Sequence, residues 1–255
     1  MRLEYKYLVP INRLAEFKKE LLPYVDIDDK FNANEEYKVR SIYFDTTDLR
    51  FYREKIEGLK IRKKLRIRGY NELENKNLVF LEIKRKNEGF VNKNRAPLHY
   101  SNLSDFLESD SISEFIITDS NGELRNEDAS KFLYHLKKNS LQPIILVVYD
   151  REAYFSKFDI SLRITFDKNL RYQMYPHTDD LFSDDLTMLF KDHFILEIKF
   201  SRGYPNWLSN IINDFHLKRK SLSKYTMCIE DAKSSLVFSR NNVTGFHQNI
   251  LDKRQ

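Results

Sequence analysis

Cysteine is almost absent from this sequence, since Cys228 is the single one among 255 residues. One cysteine excludes an internal disulfide and a metal site built from several thiolates. The longest uncharged apolar run, 141–149, is far shorter than the ~20 residues that a membrane-spanning helix needs, and the first residues lack the pattern of a signal peptide. We therefore expect a cytoplasmic protein without direct membrane insertion.

Several common functional motifs are also missing. The sequence has no glycine-rich loop followed by Lys-Ser or Lys-Thr, which argues against a P-loop enzyme. Its six histidines show no metal-ligand spacing. The aspartate pairs at 179–180 and 184–185 are typical of solvated acidic loops. The basic run 218–220 has no aromatic residues interleaved with it, so we expect no nucleic-acid partner.

Charge is abundant but nearly balanced. Lysine and arginine total 43, aspartate and glutamate total 38, and the formal net charge is +5. The basic residues concentrate in 53–68, 84–95 and 218–224, whereas 104–128 and 179–192 are acid-rich. Local clusters of one sign, more than the small net excess, indicate an anionic partner.

The stretch 60–70, K-I-R-K-K-L-R-I-R-G-Y, alternates basic and apolar residues. Side chains alternate between the two faces of a strand. The basic face would carry Lys60, Arg62, Lys64, Arg66 and Arg68, and the apolar face Ile61, Leu65 and Ile67. Such a strand is commonly part of an antiparallel sheet with one solvated face. An enclosed basic row, in contrast, would need a polyanion to neutralise it.

A second pattern is Glu-x-Lys, which occurs in three predicted strands. The pairs are Glu4 with Lys6, Glu82 with Lys84, and Glu197 with Lys199. In each pair both charged residues share one face of the strand. Together with the basic row and Arg163, they predict a sheet with one heavily charged side. If such a sheet closed into a barrel, its lumen would suit a phosphate chain with a divalent cation, because arginine matches phosphate geometry and glutamate is a hard oxygen ligand.

The remaining periodicities predict one α+β domain over 1–239, with a helical insertion at about 101–139 and a C-terminal tail at 240–255. Strands are predicted at 1–10, 37–45, 60–70, 78–86, 144–150, 151–154, 161–167 and 194–201. Helices are predicted at 11–22, 127–138, 207–215 and 225–238.

Nine short motifs, in order along most of the chain, resemble the polyphosphate polymerase (VTC) domain of the triphosphate tunnel metalloenzymes. They are E-Y-K-Y at 4–7, S-I-Y-F-D-T at 41–46, L-R-I-R at 65–68, F-L-E-I-K at 80–84, K-N-R at 93–95, Y-D-R-E-A-Y at 149–154, L-R-I-T-F-D at 162–167, I-L-E-I-K-F at 195–200 and S-L-S-K-Y at 221–225. The resemblance implies a closed, eight-stranded antiparallel β-barrel with helices packed outside. It also implies synthesis of polyphosphate from ATP with Mn²⁺ or Mg²⁺.

The resemblance also assigns roles to particular residues. The residues implied to hold phosphate are Lys6, Arg66, Arg68, Lys84, Lys93, Arg151, Arg163, Ser223 and Lys224. Arg62, Lys64 and Lys199 are added because they share the predicted charged face. Glu197 is implied as the metal ligand, with Glu4 and Glu82 as further candidates. Among these residues, we expect Arg66, Arg68, Arg151 and Arg163 to be catalytic.

One position departs from the family pattern. Family members carry a second lysine three residues before the last one in the C-terminal motif, where this chain has Ser221, preceded by Arg219 and Lys220. Two other functions stay open at this level. A hydrolase of the same fold would transfer phosphate to water, and a non-catalytic protein would only bind polyphosphate or a nucleotide.

Overall fold

The computed structural model describes residues 3–28, 36–74, 77–88, 90–109, 112–119 and 121–235. The predicted tail at 240–255 and the end of the helix predicted at 225–238 lie outside these ranges. Within them, the chain forms an antiparallel sheet of ten strands with helices on both of its faces.

The strands alternate in sequence with turns and helices. They are β1 Leu3–Pro10, β2 Val25–Ile27, β3 Glu36–Asp45, β4 Arg62–Tyr70, β5 Leu78–Asn87, β6 Phe90–His99, β7 Gln142–Ser156, β8 Arg163–Met174, β9 Thr187–Phe190 and β10 His193–Phe200. Eight of them form the path β1-β10-β8-β7-β3-β4-β5-β6, while β2 pairs with β7 and β9 pairs with β8.

The predicted closed, eight-stranded barrel is wrong. Closure requires backbone pairing between the first and last strands of the path. Across the described residues, the edge strand β1 pairs with β10 alone and the other edge strand, β6, pairs with β5 alone. The sheet is therefore open, and it has ten strands because β2 and β9, both too short for a clear periodic pattern, add to it.

The open sheet is nevertheless strongly curled. Glu4 on β1 and Lys84 on β5 are separated by five intervening strands along the path. At about 4.8 Å per strand, the six steps of a flat sheet would hold them about 29 Å apart. Instead, a carboxylate oxygen of Glu4 lies 3.7 Å from the Lys84 ammonium. The face that carries both side chains is thus the inner face of the curl, and we call it the charged face.

In the same ranges, six α-helices accompany the sheet. They are α1 Leu14–Leu21, α2 Arg50–Ile56, α3 Leu103–Glu108, α4 Asn126–Lys138, α5 Asn206–Asp214 and α6 at 224–235. Short 3-10 turns cover Ile11–Arg13, Leu22–Tyr24, Tyr100–Asn102 and Thr178–Phe182. In α4, acidic residues in the first turn and basic residues in the last complement the helix dipole.

Helices α1, α3, α4 and α5 pack against the outer face of the sheet, and two apolar cores lie between these helices and the strands. Phe17 of α1 and Leu208 of α5 pack with Phe166 of β8, and Phe132 of α4 packs with Leu65 of β4. Burial of these aromatic and aliphatic side chains supplies the main stabilisation of the sheet.

Helix α6, in contrast, lies on the charged face, which corrects the prediction that all helices pack outside. Tyr225, Cys228 and Ile229 of α6 pack with Tyr149 of β7 and Ile195 of β10. The helix therefore covers part of the inner face with apolar side chains, and charged side chains occupy the rest of that face.

The basic strand is shorter than predicted. Strand β4 begins at Arg62, so Lys60 lies before it and is exposed. Arg62, Lys64, Arg66 and Arg68 form the row on the charged face. The two strands predicted at 144–150 and 151–154 are one continuous strand, β7. None of the helices in the described ranges has the length and apolar character that a membrane span requires.

Candidate anion-binding site

Positive side chains lie opposite one another on three neighbouring strands. Lys64 of β4 pairs in register with Lys84 of β5, which pairs in turn with Lys93 of β6, and Arg62 pairs with Lys86. Residues directly opposite each other on antiparallel strands point to the same face, and like charges in these positions destabilise a sheet. A bound anion would remove that cost.

Glu82 is the centre of one charged cluster on this face. It is only 1% exposed. Its carboxylate accepts hydrogen bonds from Arg66 at 2.7 and 2.6 Å and lies 2.7 Å from the Lys93 ammonium and 3.3 Å from Arg95 Nε. Although burial opposes ionisation, Arg66, Arg68 and Lys93 hold the pKa of Glu82 well below its ordinary value.

Glu197 is the centre of a second cluster, at the other side of the curl. It is 5% exposed. Oε1 lies 3.0 Å from Lys6 Nζ and 3.1 Å from Lys224 Nζ, while Oε2 lies 3.0 Å from Lys199 Nζ and 3.6 Å from Arg151 Nη2. Burial opposes ionisation here too, and the surrounding lysines hold the pKa of Glu197 well below its ordinary value. The two copies of L-E-I-K thus place one buried carboxylate on each side of the curl.

Asp167 joins the second cluster, although it is not among the residues predicted from the sequence. Arg151 donates two hydrogen bonds to its carboxylate, at 2.5 and 2.7 Å, and Lys224 forms an ion pair with it. Asp167 lies opposite Arg151 in the register of β7 with β8. Its position four residues after Arg163 on one strand could have identified it, because side chains an even number apart share a face.

Arg163 lies at the edge of the charged face and is already held by a carboxylate. It donates hydrogen bonds to Asp28 at 3.0 and 2.7 Å and to the Tyr37 hydroxyl at 3.2 Å. In the register of β8 with β10, Arg163 lies opposite Lys199, so these two cations face each other on neighbouring strands. Asp28 was not predicted from the sequence because it follows the short strand β2, which had no pattern of its own.

Arg68 has no carboxylate partner in the part of the chain that the structure describes. It is 7% exposed and donates to Ser41 Oγ at 3.0 Å and to the Tyr149 hydroxyl at 3.5 Å. Buried charges are normally paired. Arg40, which is fully buried on the other face of the sheet, shows the ordinary arrangement, since it pairs with Glu72 and Asp184.

Lys64, like Arg68, is a cation without a carboxylate partner among the described residues. Its ammonium donates to Ser223 Oγ at 2.8 Å and lies 5.5 Å from the Tyr225 ring, and within the described ranges it makes no ion pair. Burial, followed by repulsion from Lys6, Lys84 and Arg66, lowers the pKa of Lys64 well below its ordinary value. Lys64 and Arg68 therefore form no direct ion pair with a carboxylate among the described residues, and a bound polyanion would favour the charged form of Lys64.

Lys199 leads to a prediction about pH. Burial, with the charges of Arg151 and Lys6, lowers the pKa of Lys199 to about 8, although the charges of Glu197 and Glu4 act to raise it. A bound polyanion favours the charged form. We therefore expect anion binding near pH 8 to take up protons, and affinity to fall as pH rises through 8.

Calorimetry of tripolyphosphate binding, in buffers of different ionisation enthalpy, measures this proton uptake. Lys199→Arg is the matched variant, because arginine keeps the charge and does not deprotonate. The uptake should shrink in this variant. Equal uptake in both proteins would exclude Lys199 as its source.

Glu4 on β1 and Glu197 on β10 carry hard oxygen ligands that could hold a divalent cation together with phosphate. Lys6 Nζ lies 3.0 Å from both Glu4 and Glu197 and so joins the two side chains. Across the described residues, no group of three or more Asp, Glu, His or Cys side chains forms a metal cage. Mg²⁺ needs no such cage, since it is commonly held by one or two carboxylates together with substrate phosphates and water. Glu82 lies in the other cluster and is not part of this pair.

The segment before α6 brings two serines to the charged face. Ser223 receives a hydrogen bond from Lys64, and Ser221 receives one from Lys55 of α2 at 3.0 Å. Lys224 follows directly and contacts Asp167 and Glu197. The structure thus places every residue predicted to bind phosphate on the charged face or at its rim, and Lys55, Arg95, Asp28 and Asp167 are additional residues found there.

The sequence matches a known protein family over most of its length. A sequence profile of the VTC domain matches residues 1–233. Vacuolar transporter chaperone complex subunit 4 of Schizosaccharomyces pombe is 26% identical over 279 aligned positions, which cover 92% of this chain and 37% of that protein. The chain thus spans little more than a third of the length of this curated relative.

One solved structure is similar over a large share of both chains. It is that of a putative adenylyl cyclase from Hippeastrum, described as having a dominant triphosphatase activity. The alignment covers 88% of this chain and 93% of that one, with 12% identity and a TM-score of 0.44. At that TM-score the likeness does not establish a shared fold.

Proposed function

Because the chain belongs to the VTC domain family, we propose that its charged face binds polyphosphate and transfers the γ-phosphate of ATP to the end of the polyphosphate chain. One observation carries this proposal: Lys64 and Arg68, on the same face of β4, have no carboxylate partner in the described ranges. A string of phosphates matches an extended row of cations better than a single anion does, since its charges repeat along its length.

The proposed reaction needs no covalent intermediate on the protein. An oxygen of the terminal phosphate attacks the γ-phosphorus of ATP, the bond from that phosphorus to the β–γ bridging oxygen breaks, and ADP leaves. Phosphoryl transfer of this kind depends mainly on positioning and on electrostatic stabilisation. Arg66, Arg68 and Arg151 would neutralise the charge of the reacting phosphates, and Arg163 would orient the chain from the edge of the face.

A divalent cation, Mn²⁺ or Mg²⁺, would be held by Glu197 with Glu4 and would supply further neutralisation of the phosphate oxygens. Lys6 lies between these two carboxylates. Its ammonium would then move from the carboxylates towards the phosphates. The lysines around Glu197 thus keep the carboxylate ionised without the metal and are available to the substrate with it.

Incubation of the protein with ATP and Mn²⁺, followed by gel electrophoresis of the products and a phosphate assay, tests the proposal. We expect long phosphate chains and ADP, with little free phosphate. Free phosphate without chains would identify a triphosphate hydrolase instead. Tight binding of ATP or polyphosphate without turnover would identify a binding protein, and either result would overturn the polymerase proposal.

A further inference from the structure

A cavity of about 610 Å³ opens where strand β4 begins. Its lining includes Lys55 of α2, Arg62 of β4, Lys86 of β5 and Ser221 before α6. Glu230 of α6 is the one carboxylate among the described lining residues. Three elements, α2, β4 and β5, therefore each contribute a cation to one cavity.

None of these three cations has a carboxylate partner among the described residues. In the described part of the chain, Lys55, Arg62 and Lys86 take part in no ion pair, and Lys55 Nζ donates to the neutral Ser221 hydroxyl at 3.0 Å. Burial lowers the pKa of Lys55, and Arg62, Lys6 and Lys86 lower it further, while Glu230 acts in the opposite direction. The mutual repulsion of these groups favours an anion in the cavity.

The cavity continues the charged face. Arg62 precedes Lys64 by two residues on β4, and Lys86 follows Lys84 by two on β5, so each pair is about 7 Å apart on the same face. Arg62 and Lys86 lie opposite each other, as Lys64 and Lys84 do. The rows of cations on β4 and β5 thus continue from the buried part of the charged face into the cavity, on the same face of the sheet.

We propose that Lys55, Arg62 and Lys86 form a chain-length subsite, which binds phosphates of a polyphosphate that extend past Lys64 and Lys84. This inference rests on the proposed function. A triphosphate would occupy the more deeply buried cations first, because charges attract more strongly where solvent screens them less. The cavity would therefore contribute to the binding of long chains and not of tripolyphosphate, and so would set a preference for polyphosphate.

Calorimetric titration of the full chain with tripolyphosphate, and separately with a long polyphosphate of defined length, tests the subsite. The double variant Lys55→Ala and Lys86→Ala should bind the long chain about 10-fold more weakly, a loss of about one strong phosphate contact. Its affinity for tripolyphosphate should change less than about 2-fold. Thermal unfolding of the variant checks that it is folded.

Arg53→Ala is the matched control. Arg53 belongs to the same helix as Lys55, is exposed, pairs with Asp48 and does not line the cavity. Its removal should weaken neither ligand. Equal weakening of both ligands by the double variant, or weakening of neither, would overturn the subsite while the proposed function stands. A wild-type protein that binds neither ligand would overturn the proposed function and the subsite together.

Discussion

Replacement of Arg66 with alanine should lower kcat for phosphate transfer by about 10²–10³, the usual cost of one lost group that stabilises transition-state charge. Arg66 lies between the Glu82 carboxylate and the Tyr43 hydroxyl, to which it donates at 2.9 Å. Its guanidinium is therefore held in one orientation before substrate binds, which is the condition for electrostatic stabilisation without reorganisation.

The fold should tolerate this replacement because Glu82 keeps Lys93 and Arg95 as partners. Steady-state kinetics with ATP measures the loss. Arg66→Lys should recover part of it, because lysine restores the charge but not the bidentate geometry. Arg85→Ala is the control, since Arg85 is on the same sheet, contacts Asn94 and points away from the charged face. An Arg66→Ala protein with wild-type kcat would remove Arg66 from the proposed mechanism.

Glu197→Gln should abolish metal-dependent turnover, with a loss of at least about 100-fold, while it tightens tripolyphosphate binding. Glutamine keeps the size of the side chain but lacks the anionic oxygen that a hard divalent cation prefers. Removal of a negative charge among Lys6, Lys199 and Lys224 makes the surroundings more positive. Binding and turnover should therefore move in opposite directions.

The matched control for this variant is Glu152→Gln. Glu152 is also buried on the sheet and is also held by two lysines, Lys18 and Lys168, but it belongs to the outer face. Both variants remove the charge of a buried carboxylate that several lysines contact, which costs stability. Only Glu197→Gln should lose turnover out of proportion to its change in Tm. Full turnover in Glu197→Gln would contradict a metal-binding role for this residue.

The sequence was most informative where one strand shows strict alternation. The period of two in β4 placed Arg66 and Arg68 on the same face, and the repeated L-E-I-K was enough to single out Glu82 and Glu197 as carboxylates of that face. These assignments depend only on the local geometry of a strand. They needed no knowledge of which strands are neighbours.

Long-range features could not be obtained in this way. Whether β1 pairs with β6 depends on curvature and register over the whole sheet, and the sheet is open where closure was predicted. The pairing of Arg151 with Asp167 follows from the register of β7 with β8. Helix α6 was predicted correctly as a helix in its described part, but its position on the charged face depends on tertiary packing.

We propose that a polyphosphate neutralises Lys64 and Arg68, the cations of the charged face that form no ion pair among the described residues. A calorimetric titration of tripolyphosphate into the wild-type protein and into Lys64→Gln, at low and at high salt, tests it most directly. We expect saturable binding to the wild type that weakens as salt screens the charges, and binding at least about 10-fold weaker in Lys64→Gln. Absence of binding to the wild type at low salt, or equal affinity in the two proteins, would contradict the claim.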